Sequence, residues 1–528
     1  MRAHGGVPWL ESLEDMVVYG AVVGADDQPS LVLPNGLSAV RRPAVVRDLV
    51  GDYLDRGWYV PAKDLGVAPR VVMPLHVVPK SGGRWRLIGD LSAGGDLSVN
   101  ARARVAGALD PPAPVHKYTR VRDIRESLEA RLRAGQRVRF TKVDVDSAYS
   151  RVAVSVPSIA RQGMNVPGVG VVCSLRLLFG SGTSPRDFVS WSDAFVWVMR
   201  AHGVEVWNVV DDFLVVESSW GRVVAATTRL LSLLEASGFQ VSRAKFEATG
   251  APAWVAEFLG VVFDAYRGCY GLSAERRTAF AALLRSTVHS RRLPRRVAAR
   301  VAGKMAWFGS VYPLSRAFAS VWHAAAARAA ELGSCRVTGA MRRAAAWFVH
   351  VVGVAPDIPI VRSALHPVEL YTDASLYGFG GWWGSIWCSG RWGRNDLRLS
   401  RSNIMVLEMA TLVFFVLALG ERLRNQRVVV RCDNASVCGC LYTWRSRQPI
   451  VARLLRRLVA HLVSVNARLH VLWIGTHANY VADLLSRGSR VLWFPVAPGV
   501  PVHVSCALQL PITWRRRSAW WQPLPLCS

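Results

Sequence analysis

Apolar and polar positions alternate, cluster or repeat along this chain in ways that predict a mixed architecture. Asn208-Val209-Val210-Asp211-Asp212-Phe213-Leu214-Val215-Val216 sets two adjacent acids between two β-branched runs. That pattern predicts a β-hairpin with carboxylates at its tip and buried arms. Two further runs, Val71 to Lys80 and Arg84 to Asp90, flank Ser81-Gly82-Gly83 and predict a second hairpin, this one basic. Val138, Phe140 and Lys142 alternate with Arg139, Thr141 and Val143, the period of a strand, and Asp144 falls at its end. An Arg-rich amphipathic helix is expected over Val121 to Ala134. Pro185 suits the first turn of a helix whose Phe188, Trp191, Phe195 and Val198 recur at helical spacing. A helix over Gly221 to Ser237 and a buried strand over Glu257 to Asp264 follow.

From Ala274 to about Ser334 the pattern is helical and basic. A second αβ unit is expected from residue 361. It has a strand over Val368 to Ser375, Gly- and Trp-rich strands as far as Trp392, and an apolar helix over Ile404 to Gly420. Further strands cover Arg427 to Asn434, ending in an acid, and Leu469 to Ile474, and Asp483 enters a final helix.

Charge changes this picture more than bulk composition does. The 65 Lys and Arg against 37 Asp and Glu leave a net charge of +28 over 528 residues, which points to a polyanion, most plausibly nucleic acid. The competing explanation is a merely Arg-rich composition. The nine Cys form no CxxC pair, so reduced, mostly buried thiols and no zinc site are expected. No basic segment leading into an apolar core marks a secretory signal, and Ile404 to Gly420 is short for a membrane span and contains Glu408. An intracellular protein, cytoplasmic or nuclear and without membrane contact, is the expectation.

Two carboxylate clusters carry the candidate chemistry. Asp144, Asp211 and Asp212 all fall at strand ends or turns. An Asp-containing turn is ordinary by itself. Carboxylates converging from adjacent strands instead suit a pair of Mg2+ ions, which clamp the attacking and leaving oxygens in phosphoryl transfer. Asp373, Glu408, Asp433 and Asp483 form the second cluster. A Glu inside an apolar helix costs free energy unless it faces a metal or a partner.

These residues resemble the reverse transcriptase family. Phe140 to Val154 looks like its first palm motif, with Asp144 the implied metal ligand and Tyr149 at the position that crowds a 2′-hydroxyl. Phe179-Gly180-Ser181 through Phe188 looks like the motif lying against template and incoming nucleotide. Val210-Asp211-Asp212 is similar to the Tyr-x-Asp-Asp box, with Val209 in place of Tyr. Lys245 fits the lysine that assists the pyrophosphate leaving group, and Phe258-Leu259-Gly260 looks like the primer grip. Lys80, Arg86 and Asp90 match the fingers motif, and the resemblance implies Lys80 and Arg86 as triphosphate ligands.

The second cluster resembles ribonuclease H, with Asp373, Glu408, Asp433 and Asp483 the implied ligands of two metals. His477 stands where that family has a mobile histidine; the alternative is a solvated loop side chain. Asn479 with Ala482 to Arg487 resembles the closing motif of retrotransposon ribonucleases H, which suggests a DIRS-like, tyrosine-recombinase type of retroelement.

The resemblance spans residues 71 to 488. It implies an α+β chain, a right-hand polymerase followed by an α/β ribonuclease H-like domain. The expected limits are an N-terminal extension to 70, fingers and palm over 71–265, a helical thumb or connection over 266–360, ribonuclease H over 361–490 and a tail over 491–528. The implied partners are an RNA template, a DNA primer, an RNA–DNA hybrid and deoxynucleoside triphosphates, with Mg2+ as cofactor and Mn2+ as its alternative. A catalytically decayed or host-adopted nucleic-acid-binding remnant is the competing reading.

Overall fold

The computed structural model describes residues 8–66, 68–80, 83–107, 118–354, 357–361, 367–384, 386–392 and 403–488, with three short strands beyond them. Ser81 and Gly82 of the expected basic turn, and most of the 491–528 tail, lie outside the described residues. Helices and sheets are mixed in an α+β chain. It divides into two compact units, one of residues 1–270 with 358–361, the other of residues 271–357 with 362–528.

The first unit holds a three-stranded antiparallel sheet in which Asp212–Glu217 is central, between Arg139–Asp144 and Glu205–Val209. Helices Ser184–Ala201 and Trp220–Ala236 pack against it. The first has Pro in its opening turn, and Ser219 caps the second through its side chain. The alternation over 138–143 does not translate into one wet face. Val138, Phe140, Thr141 and Val143 are all buried, and the Thr141 hydroxyl meets Thr227 of the second helix at 2.7 Å.

A five-stranded sheet runs in the order Leu31–Val32, Val71–Met73, Gly163–Val166, Gly170–Ser174, Tyr59–Pro61. The expected boundary at residue 70 therefore cuts through a sheet. Residues 31–61 contribute both of its edges, and buried Arg161 ties the preceding segment down through the Val23 carbonyl at 3.0 Å. The basic hairpin forms as expected, Leu75–Pro79 pairing with Trp85–Gly89. The buried strand expected over 257–264 is instead a tight hairpin of Val255–Phe258 and Val261–Asp264. Leu259 and Gly260 both take positive φ, 54° and 74°, which is what a two-residue turn between twisted strands demands.

The Arg-rich helix, Val121–Arg133, is largely neutralised by its own acids. Arg125 pairs with Glu126 and Glu129, Arg122 with Glu126, and Arg133 with Glu129. Arg131 reaches Glu205 at 2.6 Å.

In the second unit, helices Ala274–His289, Arg295–Val311, Arg316–Leu332 and Gly339–Val354 pack in pairs. A small antiparallel ladder, Arg292–Pro294 with Ser334–Arg336, interrupts the expected helical stretch. A mixed sheet follows in the order Arg468–Trp473, Arg427–Cys432, Val368–Ala374, Gly378–Trp383, Ile386–Arg391, Cys506–Ala507. Strands Val368–Ala374, Gly378–Trp383 and Ile386–Arg391 form an antiparallel meander, and the pairs on the other side of Val368–Ala374 are parallel. Glycines in the meander let helices lie close. A Cβ at Gly381 would press on Phe415, and one at Gly380 on the Leu485 side chain and the Ser486 backbone. Helix Ile404–Leu419 thus covers one face and helix Tyr480–Ser486 part of the other. Ile404–Leu423 is the one helical stretch among the described residues long and apolar enough to cross a membrane, and 67% of its apolar window is buried in the protein.

Candidate active sites

The first cluster is assembled by strand pairing. Asp212 opens its strand directly opposite Asp144 in the antiparallel ladder and opposite Val209 on the other side. Val210 and Asp211 form the two-residue turn between them. Val210 has φ 55°, a left-handed conformation that costs a β-branched residue about 1–2 kcal/mol. The Asp211 carbonyl accepts a hydrogen bond from Val145 N–H at 3.0 Å, so the turn is held against the residue after Asp144. Three acids on two strand ends and one turn thereby share one end of the sheet.

Lys245 Nζ donates to both Asp144 oxygens at 2.7 Å, and Lys142 Nζ lies 3.3 Å from Asp212 Oδ2. Lys142 stands two residues before Asp144, on the same face of the strand. Burial, with the Asp144 carboxylate next to it, pushes Asp212 up to about 6. Burial first, then Asp144, also raises Asp211, against the lowering pull of Lys245 and Arg86. Asp212 Oδ1 is buried without a hydrogen-bond partner. An orphaned carboxylate oxygen among three crowded acids is what a hard divalent cation would satisfy, so the donor set fits Mg2+ or Mn2+.

Aromatic and cationic groups border these acids. The Tyr149 ring sits 4.8 Å from Phe179 and 6.0 Å from Phe188, centroid to centroid. Burial and the Asp211 charge push its phenol up to about 12. The Arg86 guanidinium lies 4.5 Å over the Phe179 ring. Gly180, at φ 112°, lies so close to the basic hairpin that a Cβ would run into the Gly89 carbonyl oxygen. Asn100 holds this loop, donating to the Gly180 carbonyl at 2.9 Å and accepting from Gly182 N–H at 2.8 Å. Nothing in the local pattern marked Asn100, because its partners lie about eighty residues away. Lys80 follows the strand Leu75–Pro79, is exposed and makes no ion pair with the acids. The structure brings Asp144, Asp211, Asp212, Lys245, Arg86, Tyr149, Phe179 and Gly180 into one neighbourhood and leaves Lys80 on the hairpin's outer end.

The second cluster lies within the second unit. The parallel register ends at Tyr371↔Arg431, so Asp373 and Asp433 each stand two residues beyond the last pair at the same end of the sheet. Glu408 enters from helix Ile404–Leu419, only 8% exposed. Asn434 caps the helix Ala435–Thr443 through Oδ1 and, through Nδ2, donates to Glu408 Oε1 at 3.1 Å. Asn479 Nδ2 donates to Asp433 Oδ1 and to the Thr372 carbonyl, each at 3.1 Å. Burial pushes Glu408 up to about 8, with Asp373 and Asp433 adding to the rise and Asn434 opposing it. Asp373 rises to about 6, through burial and then the Asp433 and Asp483 charges. Acids that crowd so strongly fit a bound divalent cation.

Asp483 opens toward Arg487, 2.8 Å away. His477 is exposed in the turn Thr476–Asn479 and makes no hydrogen bond or ion pair with the acids. Cys432 was not anticipated at the site, yet its Sγ lies 3.8 Å from Glu408 Oε2.

No family model matches the sequence, and no curated protein matches it. Solved structures do. A foamy viral protease-reverse transcriptase dRH in complex with double-stranded DNA is 14% identical, with a TM-score of 0.50 over 86% of this chain and 73% of its own. Foamy viral protease-reverse transcriptase in complex with double-stranded DNA is 14% identical at a TM-score of 0.48, covering 90% of this chain and 95% of its own. At such identities the likeness is one of fold.

Proposed function

We propose that the chain is an RNA-directed DNA polymerase with an attached ribonuclease H. The observation that carries this reading is the ladder pairing of Asp144 with Asp212 beside the Asp211 turn. In this reading the primer 3′-hydroxyl attacks the α-phosphorus of a deoxynucleotide and pyrophosphate leaves. Asp144, Asp211 and Asp212 would hold Mg2+, or Mn2+, which when bound supplies the positive charge that the transferring phosphoryl group needs. Arg86 offers a guanidinium to the triphosphate. Tyr149, braced by Phe179 and Phe188, presents an aromatic wall to the sugar and favours a nucleotide without a 2′-hydroxyl. Lys245 holds Asp144 and stands where a proton could pass to the leaving group.

In the second unit, Asp373, Glu408, Asp433 and Asp483 would hold the cations of a hydrolytic centre acting on RNA paired with DNA. Asn434 and Asn479 orient Glu408 and Asp433 there. The net charge of +28 suits RNA template, DNA primer and hybrid as partners. The fold of the foamy viral enzymes supports the right-hand layout, with fingers and palm in the first unit, a helical thumb or connection after it and ribonuclease H last. We place the chain in a retroelement of the DIRS-like type, working in the cytoplasm or nucleus.

Primer extension on an RNA template with Mg2+ tests the polymerase. Incorporation of deoxynucleotides by the wild type, abolished in Asp211→Asn, is expected. Absence of incorporation by the wild type, or equal incorporation by the variant, would sink the reading and leave a decayed nucleic-acid-binding remnant. Cleavage of a labelled RNA–DNA hybrid, lost in Asp433→Asn, tests the second centre separately.

A further inference from the structure

The second cluster contains a sulfur as well as oxygens. Cys432 ends the strand Arg427–Cys432 and is 2% exposed. A buried cysteine usually contacts apolar side chains. This one donates its thiol to Glu408 Oε2 at 3.8 Å, with the Asn434 carbonyl at 3.9 Å, and one oxygen each of Glu408 and Asp433 lies within 4.8 Å of that sulfur and of the other. Donors sharing one tetrahedral ion must come close, and the Cys432–Glu408 pair at 3.8 Å is near that separation. Bonds of about 2.3 Å to sulfur and about 2.0 Å to oxygen put the two atoms roughly 3.6 Å apart.

The other oxygen of Glu408 is already held by Asn434 Nδ2, and an oxygen of Asp433 by Asn479 Nδ2. Such outer hydrogen bonds orient ligands in metal sites. Mg2+ takes oxygen donors, whereas a thiolate beside carboxylates selects a softer ion. We propose that Glu408, Cys432 and Asp433 form a mixed sulfur–oxygen site for Zn2+. On binding, the metal–sulfur bond replaces the thiol's S–H bond and the proton leaves to water. The three ligands come from a helix, a strand end and the residue after it, so cysteine spacing alone gave no sign of them. The site stands on this geometry whether or not the nuclease reading holds. If that reading also holds, Zn2+ competes with Mg2+ for two of its carboxylates.

Co2+ serves as the spectroscopic probe, titrated into the full chain under a phosphine reductant. The wild type should bind it with a sulfur-to-cobalt charge-transfer band that added Zn2+ abolishes. Cys432→Ser should lose that band and bind Zn2+ roughly tenfold or more weakly by calorimetry. Cys388→Ser, altered in a different strand, should keep both. Thermal melting without metal checks that Cys432→Ser folds. Should it not fold, Glu408→Gln, which keeps the thiol, must weaken Zn2+ binding by a similar factor. No charge-transfer band in the wild type, a band surviving in folded Cys432→Ser, or undiminished Zn2+ affinity in Glu408→Gln would overturn the proposal.

Discussion

Lys245 grips both oxygens of Asp144 at 2.7 Å, across a sequence separation of about one hundred residues. With Lys142 at 3.3 Å from Asp212, it supplies positive charge among the three crowded acids. Lys245→Met should therefore destabilise the metal-free protein at pH 8 by about 1–2 kcal/mol, the lower end of what a charged hydrogen bond is worth because the lysine is half exposed. Mg2+ should restore more stability to this variant than it adds to the wild type. Thermal melting with and without Mg2+ measures both, and an equal Mg2+ increment would contradict the role.

Glu408, raised to about 8, makes stability depend on pH. Its folded-state value lies above its unfolded one, so the folded state binds the extra proton. The stabilisation is complete below about pH 4 and is lost as pH rises through 8. Asp373, raised to about 6, acts in the same direction over pH 4 to 6. Without divalent metal, Glu408→Gln should melt above the wild type at pH 8, by an amount on the order of a few kcal/mol, and close to it at pH 4. Melting curves across that range decide it. The same variant should not cleave hybrid.

Val210 holds a left-handed turn that glycine adopts freely. Val210→Gly should stabilise the chain by up to about 1 kcal/mol if relief of strain outweighs the added freedom of the unfolded chain. It should also loosen Asp211 and slow nucleotide incorporation. A rise in melting temperature together with a lower kcat is the expected pair of readings.

Gly180→Ala should do the opposite. The new methyl meets the Gly89 carbonyl at a positive φ, so the loop must lift from the basic hairpin. A loss of about 1–3 kcal/mol and a raised KM for deoxynucleotides should follow, since Phe179 and Arg86 move apart. Equal KM values would show that the loop does not position them.

The acid-bearing elements were legible because their signals are local. Two β-branched runs around Asp211-Asp212, a strand running into Asp144 and an apolar helix carrying Glu408 each show within a dozen residues. The hairpin at Leu259-Gly260 was not legible, because Leu in a left-handed turn is disfavoured and only pairing of the flanking strands enforces it. The Arg-rich helix was legible as amphipathic, but the pairing of its charges with Glu126, Glu129 and Glu205 was not, since Glu205 comes from a distant strand.

Sequence alone therefore determined which acids sit at strand ends, which helix hides a carboxylate and that the chain suits a polyanion. Those properties follow from periodicity and charge, which act over a few residues. Tertiary structure alone decided that Asp144 faces Asp212, that Lys245 closes on Asp144, that Asn100 moors the Gly180 loop and that Cys432 joins Glu408. It also drew Leu31–Val32 and Tyr59–Pro61 into the edges of the five-stranded sheet. Each depends on strand register and on contacts between distant segments, where the free energy comes from burying both partners together and no single stretch of sequence carries the sign.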